Sequence, residues 1–364
     1  MVAEGKGFIN MNALELIKSE IRDLYPYKVD DTCCAIKLDA NENPYPLPDE
    51  LKDKVRDALS EVSLNRYPDP YAGELKCLIS RWLSVSEDSL MLGNGSDELI
   101  QAILIATSWG SPTVVVPSPT FSMYKITGLA VGHRVLEIPL DESFDIDPAA
   151  IIDACRKERA KVIFLSTPNN PTGNRFSDDK VLEVVKGSHA LVVVDEAYGD
   201  FSGKTLVPYL KENMNLIILR TLSKIGIAGL RVGIMAANPD LLNELDKVRL
   251  PYNINSLSQT AAAVVLNNMD AINGQIDAII AERERVYRAL KGLDGVSPYP
   301  SEANFILFKV RDADDLHKRL IEKGILIKNL NRAGRLENCM RVTVGTPAEN
   351  DALLGAMRAI MSNE

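Results

Sequence analysis

A chain of 364 residues is too long for one simple core and suits two domains, and its 46% hydrophobic and 25% charged content is that of an ordinary globular protein. A formal net charge of -9 argues against broad nucleic-acid binding, which needs a basic surface, yet it leaves room for one basic pocket that takes a small anion. No apolar run reaches the ~20 residues of a membrane span, and the opening MVAEGKGFINMNALELIK lacks the basic start and apolar core of a signal peptide.

Five cysteines, an odd number with no CxxC, predict neither a disulfide framework nor a metal site, and a reducing, cytoplasmic setting is expected. The three histidines are scattered, with no neighbouring group to orient any of them.

In chain order, residues 1–45 carry a short helical stretch and then the Pro-rich DANENPYPLP, and are expected to form an arm packing with a small domain. Residues 46–255 alternate apolar, β-branched runs with amphipathic stretches. Thr113–Val116, Lys161–Leu165, Ala190–Val194 and Leu216–Leu219 predict buried strands of a mainly parallel sheet covered by helices. Residues 256–364 carry a long helix through AERERVYRALKGL, then strands around Asn304–Phe308 and Met340–Val344. That mix predicts a smaller α+β domain.

In open α/β sheets, ligands bind beyond the carboxyl ends of the strands. The residues after each run are therefore the candidates. After Met91-Leu92 comes GNGSDE, with Gly95, Ser96 and Asp97. Its glycines allow close backbone approach, and the helix that follows offers free N–H groups to a phosphate, although Ser96 and Asp97 also read as plain helix caps. After TVVV comes PSPTFSMY, with Phe121. After KVIFLS comes TPNNPTG, with Asn170. After ALVVV come Asp195 and Tyr198, and after LIILR come Ser223, Lys224 and Arg231.

Alone, each of these residues reads as a cap, a turn or a solvated charge. Together, an amine, a carboxylate fixed at a strand end, a phosphate-cradling turn and a stacking aromatic are the parts that hold pyridoxal 5'-phosphate (PLP). A nucleotide-dependent dehydrogenase built on GNGSDE would leave Lys224, Asp195 and NPTG unexplained, and the third glycine of that fingerprint is missing.

The ordered set NPTG, DEAY, SKxxxxAGLRxG and a late R-x-T-x-G resembles the class I/II PLP-dependent aminotransferases of fold type I. LDANENPYPLP, NRYPDP, GNGSDE, PTFSMY, DEAYGDF and CMRVTVGT resemble the histidinol-phosphate aminotransferases within that group. The resemblance spans nearly the whole chain. It implies that Lys224 joins the cofactor covalently, that Asp195 pairs with its ring nitrogen, and that Tyr198 and Asn170 contact its 3-oxygen. Phe121 would stack on the ring, and Gly95, Ser96, Asp97, Ser223 and Arg231 would bind its phosphate. It further implies a homodimer in which Tyr67 reaches the partner's phosphate, and substrate contacts from Tyr27, Asn43, Lys328 and Arg341.

The implied reaction is transamination between L-histidinol phosphate and 2-oxoglutarate. Aromatic amino acid aminotransferases and threonine-phosphate decarboxylases share most of these motifs. Two departures stand out. Lys328 occupies a position where the family commonly has arginine, which keeps the charge but loses the two-pronged fork. Arg332 and Arg335 are the nearby alternatives for gripping a phosphate. SKIGIAGLR is also one residue shorter than the frequent form, which predicts a tighter loop.

Overall fold

The computed structural model describes residues 12–24 and 32–362. Its larger sheet has seven strands: β2 (Leu90–Asn94), β3 (Thr113–Ser118), β4 (Arg134–Pro139), β5 (Val162–Ser166), β6 (Leu191–Asp195), β7 (Leu216–Thr221) and β8 (Val232–Ala237). Their spatial order is β2-β8-β7-β6-β5-β3-β4. All neighbours are parallel except β8, which runs antiparallel to both β2 and β7. Strands β5, β6 and β7 are buried from end to end apart from Leu191, which explains their unbroken Val/Ile/Leu content: both faces lie under helices.

The one reversed strand matters for the site. The carboxyl ends of β2, β3, β5, β6 and β7 all point to one edge of the sheet. Because β8 runs backwards, its first residue lies at that same edge, and Arg231, immediately before it, joins the others.

A second sheet of five strands has the order β1-β11-β12-β10-β9, with β1 (Ile36–Leu38), β9 (Ser297–Pro298), β10 (Phe305–Lys309), β11 (Ile325–Asn329) and β12 (Cys339–Thr343). The N-terminal segment contributes β1, parallel to β11, while the other pairs are antiparallel. A core of Val286, Leu290, Ile306, Phe308, Leu320, Ile327, Val342 and Met357 joins this sheet to the helices Met269–Lys291, Ala313–Glu322 and Pro347–Met361. The last of these begins with a capping box, in which Thr346 and Glu349 bond each other's backbone amides. The helix Ser256–Leu266 packs its apolar residues against the helices Asp49–Ser60 and Gly73–Leu83, in the core of the large sheet rather than that of the small one.

Two strands of the larger sheet escape the sequence patterns. β4 is an edge strand with a half-exposed face, so its apolar run is broken by Arg134 and Glu137. The second residue of β8, Gly233, pairs with Gly93 and lies against the GNGSDE turn: a Cβ there would sit 2.4 Å from Gly95 C and Ser96 N. Close backbone contact, not strand propensity, dictates that residue.

Candidate active site

The carboxyl-end edge of the large sheet and the strands β11 and β12 of the small sheet enclose a cavity of about 400 Å³. Ser96, Asp97, Phe121, Asn170, Asp195, Tyr198, Ser223, Lys224, Arg231, Lys328 and Arg341 all line it. Eleven residues scattered from 96 to 341 thus converge on one space because each follows a strand end or faces it from the second sheet.

Asp195 is the last residue of β6 and only 3% exposed. Burial is the largest effect on its carboxyl and pushes its pKa from 3.8 to about 6; the Tyr124 hydroxyl and the Ala197 amide pull it back down. Tyr124 donates to Oδ2 at 2.6 Å and Ala197 N to Oδ1 at 2.9 Å. Tyr124 is itself fully buried and stacked on Phe164, with ring centres 4.6 Å apart. No ion pair reaches Asp195 among the described residues. A buried carboxylate held in place by neutral donors is a site built for a cation or a protonated ring nitrogen that comes with a ligand.

That arrangement has a cost in the ligand-free protein. The folded pKa of an acid is raised here, so the stabilising contribution is full below pH 3.8 and is lost as pH rises through about 6. At neutral pH the ionised group then costs about 3 kcal/mol. Asp195→Asn is therefore expected to raise the melting temperature of the cofactor-free protein by several degrees at pH 7.5 and to leave it nearly unchanged at pH 4. Calorimetry at the two pH values checks this; a lower melting temperature at pH 7.5 contradicts it.

The GNGSDE turn departs from the helix-cap reading. Gly95, not Ser96 or Asp97, is the N-cap of the helix Ser96–Ala106, and no side chain caps it. The first amides of that helix are left for something else. Gly95 has φ +81°, and a Cβ on it would lie 2.5 Å from Arg231 Nη2, so the guanidinium rests directly on the turn. Arg231 also faces Asp97 at 3.4 Å. Glu98 braces the turn from behind by accepting from Asn94 N and from Asn253 Nδ2. Open amides, a glycine with positive φ and an arginine beside it form an anion cradle. Ser223 adds a buried hydroxyl, paired with Thr221 Oγ1 at 2.9 Å.

Lys224 lies in a π-type turn, Ser223–Ile227, followed by a 3-10 turn, Ala228–Leu230. Gly226 permits the turn with φ +119°, where a Cβ would meet Asn43 Nδ2 at 3.0 Å. The Lys224 amine sits 5.7 Å from the centre of the Tyr198 ring. Tyr198 is 5% exposed, and its hydroxyl oxygen accepts from Asn41 Nδ2 at 2.9 Å. With that acceptor site filled by Asn41, the Tyr198 proton is the group it offers to the cavity.

Arg341 is buried on β12. It donates from Nη1 to Asn170 Oδ1 and from Nη2 to the Asp39 carbonyl, both at 2.6 Å, and lies over the Phe305 ring. A guanidinium only donates, so this contact fixes the Asn170 amide with its oxygen toward Arg341 and leaves its NH2 for the cavity. Lys328 is the direct cross-strand partner of Arg341 in the β11–β12 register. The two cations therefore stand side by side on one wall.

Other expected site residues lie elsewhere. Asn43 is not a cavity residue: its amide nitrogen goes to the Ile225 carbonyl and to Gln275 Oε1, each at 3.2 Å. It holds the turn that carries Lys224, because an irregular Pro-rich segment needs its backbone and neighbours tied by side chains. Arg332 and Arg335 are exposed and line no part of the cavity, so Lys328 has no arginine understudy there. Tyr67 is 81% exposed and stacks on Tyr252 at the surface, away from this chain's own cavity. Tyr27 lies outside the described residues.

Sequence reasoning passed over Tyr124, Asn41 and Glu98. Each stood in a quoted motif, and only the fold reveals that they orient Asp195, Tyr198 and the glycine turn.

The fold is that of fold type I PLP-dependent enzymes, and residues 35–357 match the family Aminotransferase class I and II; the chain belongs to that family. Among its relatives, histidinol-phosphate aminotransferase 2 of Nitrosococcus oceani is 44% identical over 351 residues, covering 95% of this chain and 98% of that protein. Histidinol-phosphate aminotransferase of Caldanaerobacter subterraneus is 40% identical over 348 residues, covering 95% and 99%. The crystal structure of histidinol-phosphate aminotransferase from Sinorhizobium meliloti in complex with pyridoxal-5'-phosphate aligns with a TM-score of 0.87 at 24% identity, covering 98% of this chain and 99% of that one. At that identity the likeness speaks for the fold alone.

Proposed function

We propose that the cavity holds PLP and that the chain transaminates L-histidinol phosphate with 2-oxoglutarate, giving imidazole-acetol phosphate and glutamate. The observation that carries the cofactor reading is the buried Asp195, with no ion pair among the described residues, facing the same cavity as Lys224 and the uncapped helix start at Ser96. Relatives at about two-fifths identity over nearly the full chain support the substrate.

Lys224 would join the cofactor, Asp195 would take its ring nitrogen and Phe121 its ring face. Tyr198 and Asn170 would donate to its 3-oxygen. Gly95, Ser96, Asp97, Ser223 and Arg231 would take its phosphate. When bound, the cofactor supplies an electron sink for the pair left on the substrate α-carbon.

The chain's own residues do the rest. Asp195 would hold a proton on the ring nitrogen, because a cationic partner relieves the cost of its buried, unpaired charge. With the cofactor bound, the Lys224 amine would take the proton from the substrate α-carbon and deliver it to the carbon on the far side of the bridging nitrogen. Arg341 and Lys328 bind the anionic group of either substrate, a phosphate monoester in one half-reaction and a dicarboxylate in the other. One cationic wall serves both because each is an anion.

The homodimer is part of the same reading. Leu64, Tyr67, Tyr71, Leu250 and Tyr252 are exposed apolar side chains, Tyr67 and Leu64 the most open, and Tyr67 stacks on Tyr252. A second copy of the chain would cover these side chains and receive Tyr67 near its own phosphate cradle. No helix among the described residues is long and apolar enough to cross a membrane; a cytoplasmic location remains our reading of the cysteine pattern.

A panel of amino donors tests the substrate. L-histidinol phosphate is expected to support glutamate formation from 2-oxoglutarate at least tenfold better in kcat/KM than L-phenylalanine, with no carbon dioxide released from threonine phosphate. Turnover of phenylalanine but not of histidinol phosphate would overturn the substrate.

A further inference from the structure

The cavity contains a carboxylate that the chemistry above leaves unused. Asp39 follows β1 and lines the cavity together with Ala40, Phe121, Met123, Lys328 and Arg341. It is 7% exposed, and its Oδ1 is buried with no hydrogen-bond partner among the described residues. Its backbone carbonyl, not its side chain, receives Arg341 Nη2 at 2.6 Å. Of the other two carboxylates on the cavity wall, Asp195 receives Tyr124 and Ala197 on both oxygens, while Asp97 pairs through Oδ2 with Arg231 beside the glycine turn and has its own Oδ1 buried without a partner among the described residues; Asp39 alone of the three stands on the Lys328–Arg341 side with no cation paired to its carboxylate.

A carboxylate is an obligate acceptor, and a buried one without a donor is costly. On a wall that carries Lys328 and Arg341 for an anion, it works against every ligand that brings only negative charge. It favours a ligand that brings an anion and an N–H donor together.

We infer that Asp39 is a specificity residue: its carboxylate accepts a hydrogen bond from a ring N–H of the amino donor, while Lys328 and Arg341 hold that donor's phosphate. The inference rests on the substrate reading above. A site that offers a buried acceptor rejects an isosteric ligand with no donor, because the acceptor is then left unpaired. It selects the imidazole compound over a phenyl one, a choice that the cofactor-binding residues cannot make. It also explains how one pocket treats its two substrates differently. The dicarboxylate gains nothing from Asp39, and its binding improves when the charge is removed.

A matched ligand pair tests this. L-histidinol phosphate and L-phenylalaninol phosphate share the amine and the phosphate and differ in the ring N–H. Dissociation constants from calorimetry and single-turnover rates are measured for wild type, Asp39→Ala and Asp39→Val. Among the described residues no side-chain hydrogen bond of Asp39 is lost in either variant, and Val refills the space, so melting temperatures identify any unfolded variant. Wild type is expected to prefer the imidazole ligand by at least thirtyfold. Both variants are expected to lose at least tenfold of that preference through weaker imidazole binding, with 2-oxoglutarate binding unchanged or tighter. If both ligands weaken equally, Asp39 merely shapes the Arg341 wall and the inference falls. If neither weakens, it also falls. If wild type does not bind histidinol phosphate at all, the substrate reading itself has failed, which is a separate result.

Discussion

Lys224→Ala is expected to lower transamination by roughly ten-thousandfold, because in the proposed function Lys224 is both the attachment point and the group that carries the α-proton. The fold should survive. Lys224 sits partly exposed in the turn after β7, and its amine makes no hydrogen bond or ion pair among the described residues; its one contact is the distant Tyr198 ring. The variant should therefore still bind PLP through the cradle at Gly95 and Arg231, with a melting temperature close to that of wild type. Steady-state kinetics beside a thermal melt checks both halves. Residual turnover within tenfold of wild type would remove Lys224 from its role.

Arg341→Leu should be the second most damaging change. The guanidinium is buried on β12 and makes two short bonds, to Asn170 Oδ1 and to the Asp39 carbonyl. Loss of a buried, charge-bearing anion ligand costs about 3 kcal/mol, a fall of roughly a hundredfold in kcat/KM. Both half-reactions should suffer, since both substrates are anions. Asn170 also loses the contact that fixes its amide, so part of the effect should appear in kcat as well as KM. Arg341→Lys is expected to recover little, because an ammonium cannot reach both acceptors in one plane. An unchanged KM for both substrates in Arg341→Leu would show that the anion binds elsewhere.

These two residues illustrate what the sequence makes legible. Lys224 and Asp195 each follow an unbroken apolar run, so their position at a strand end could be read from the run itself. The runs are unbroken because β5, β6 and β7 are covered on both faces. Arg231 is different. It reaches the site only because β8 runs antiparallel, and no pattern in VGIMAA announces that direction. Asn43 shows the opposite failure. Its motif marks it as a site residue, but its amide is engaged by Ile225 and Gln275, and it acts on the lysine turn from behind.

Residues that orient others are the least visible of all. Tyr124 reads as a core aromatic and packs as one against Phe164, yet its hydroxyl end fixes Asp195. Asp39 lies inside a motif whose neighbours draw the attention. Hydrogen bonding in three dimensions, not local spacing, assigns these roles, so a single sequence does not contain them in readable form.

The central claim is that the cavity takes PLP on Lys224. The direct measurement is to equilibrate the purified protein with PLP, reduce it with borohydride, digest it and weigh the peptides. The account predicts one cofactor per chain, carried on the peptide containing Lys224, and no uptake at that position in Lys224→Ala. A chain that takes up no cofactor, or carries it on a different lysine, would contradict it.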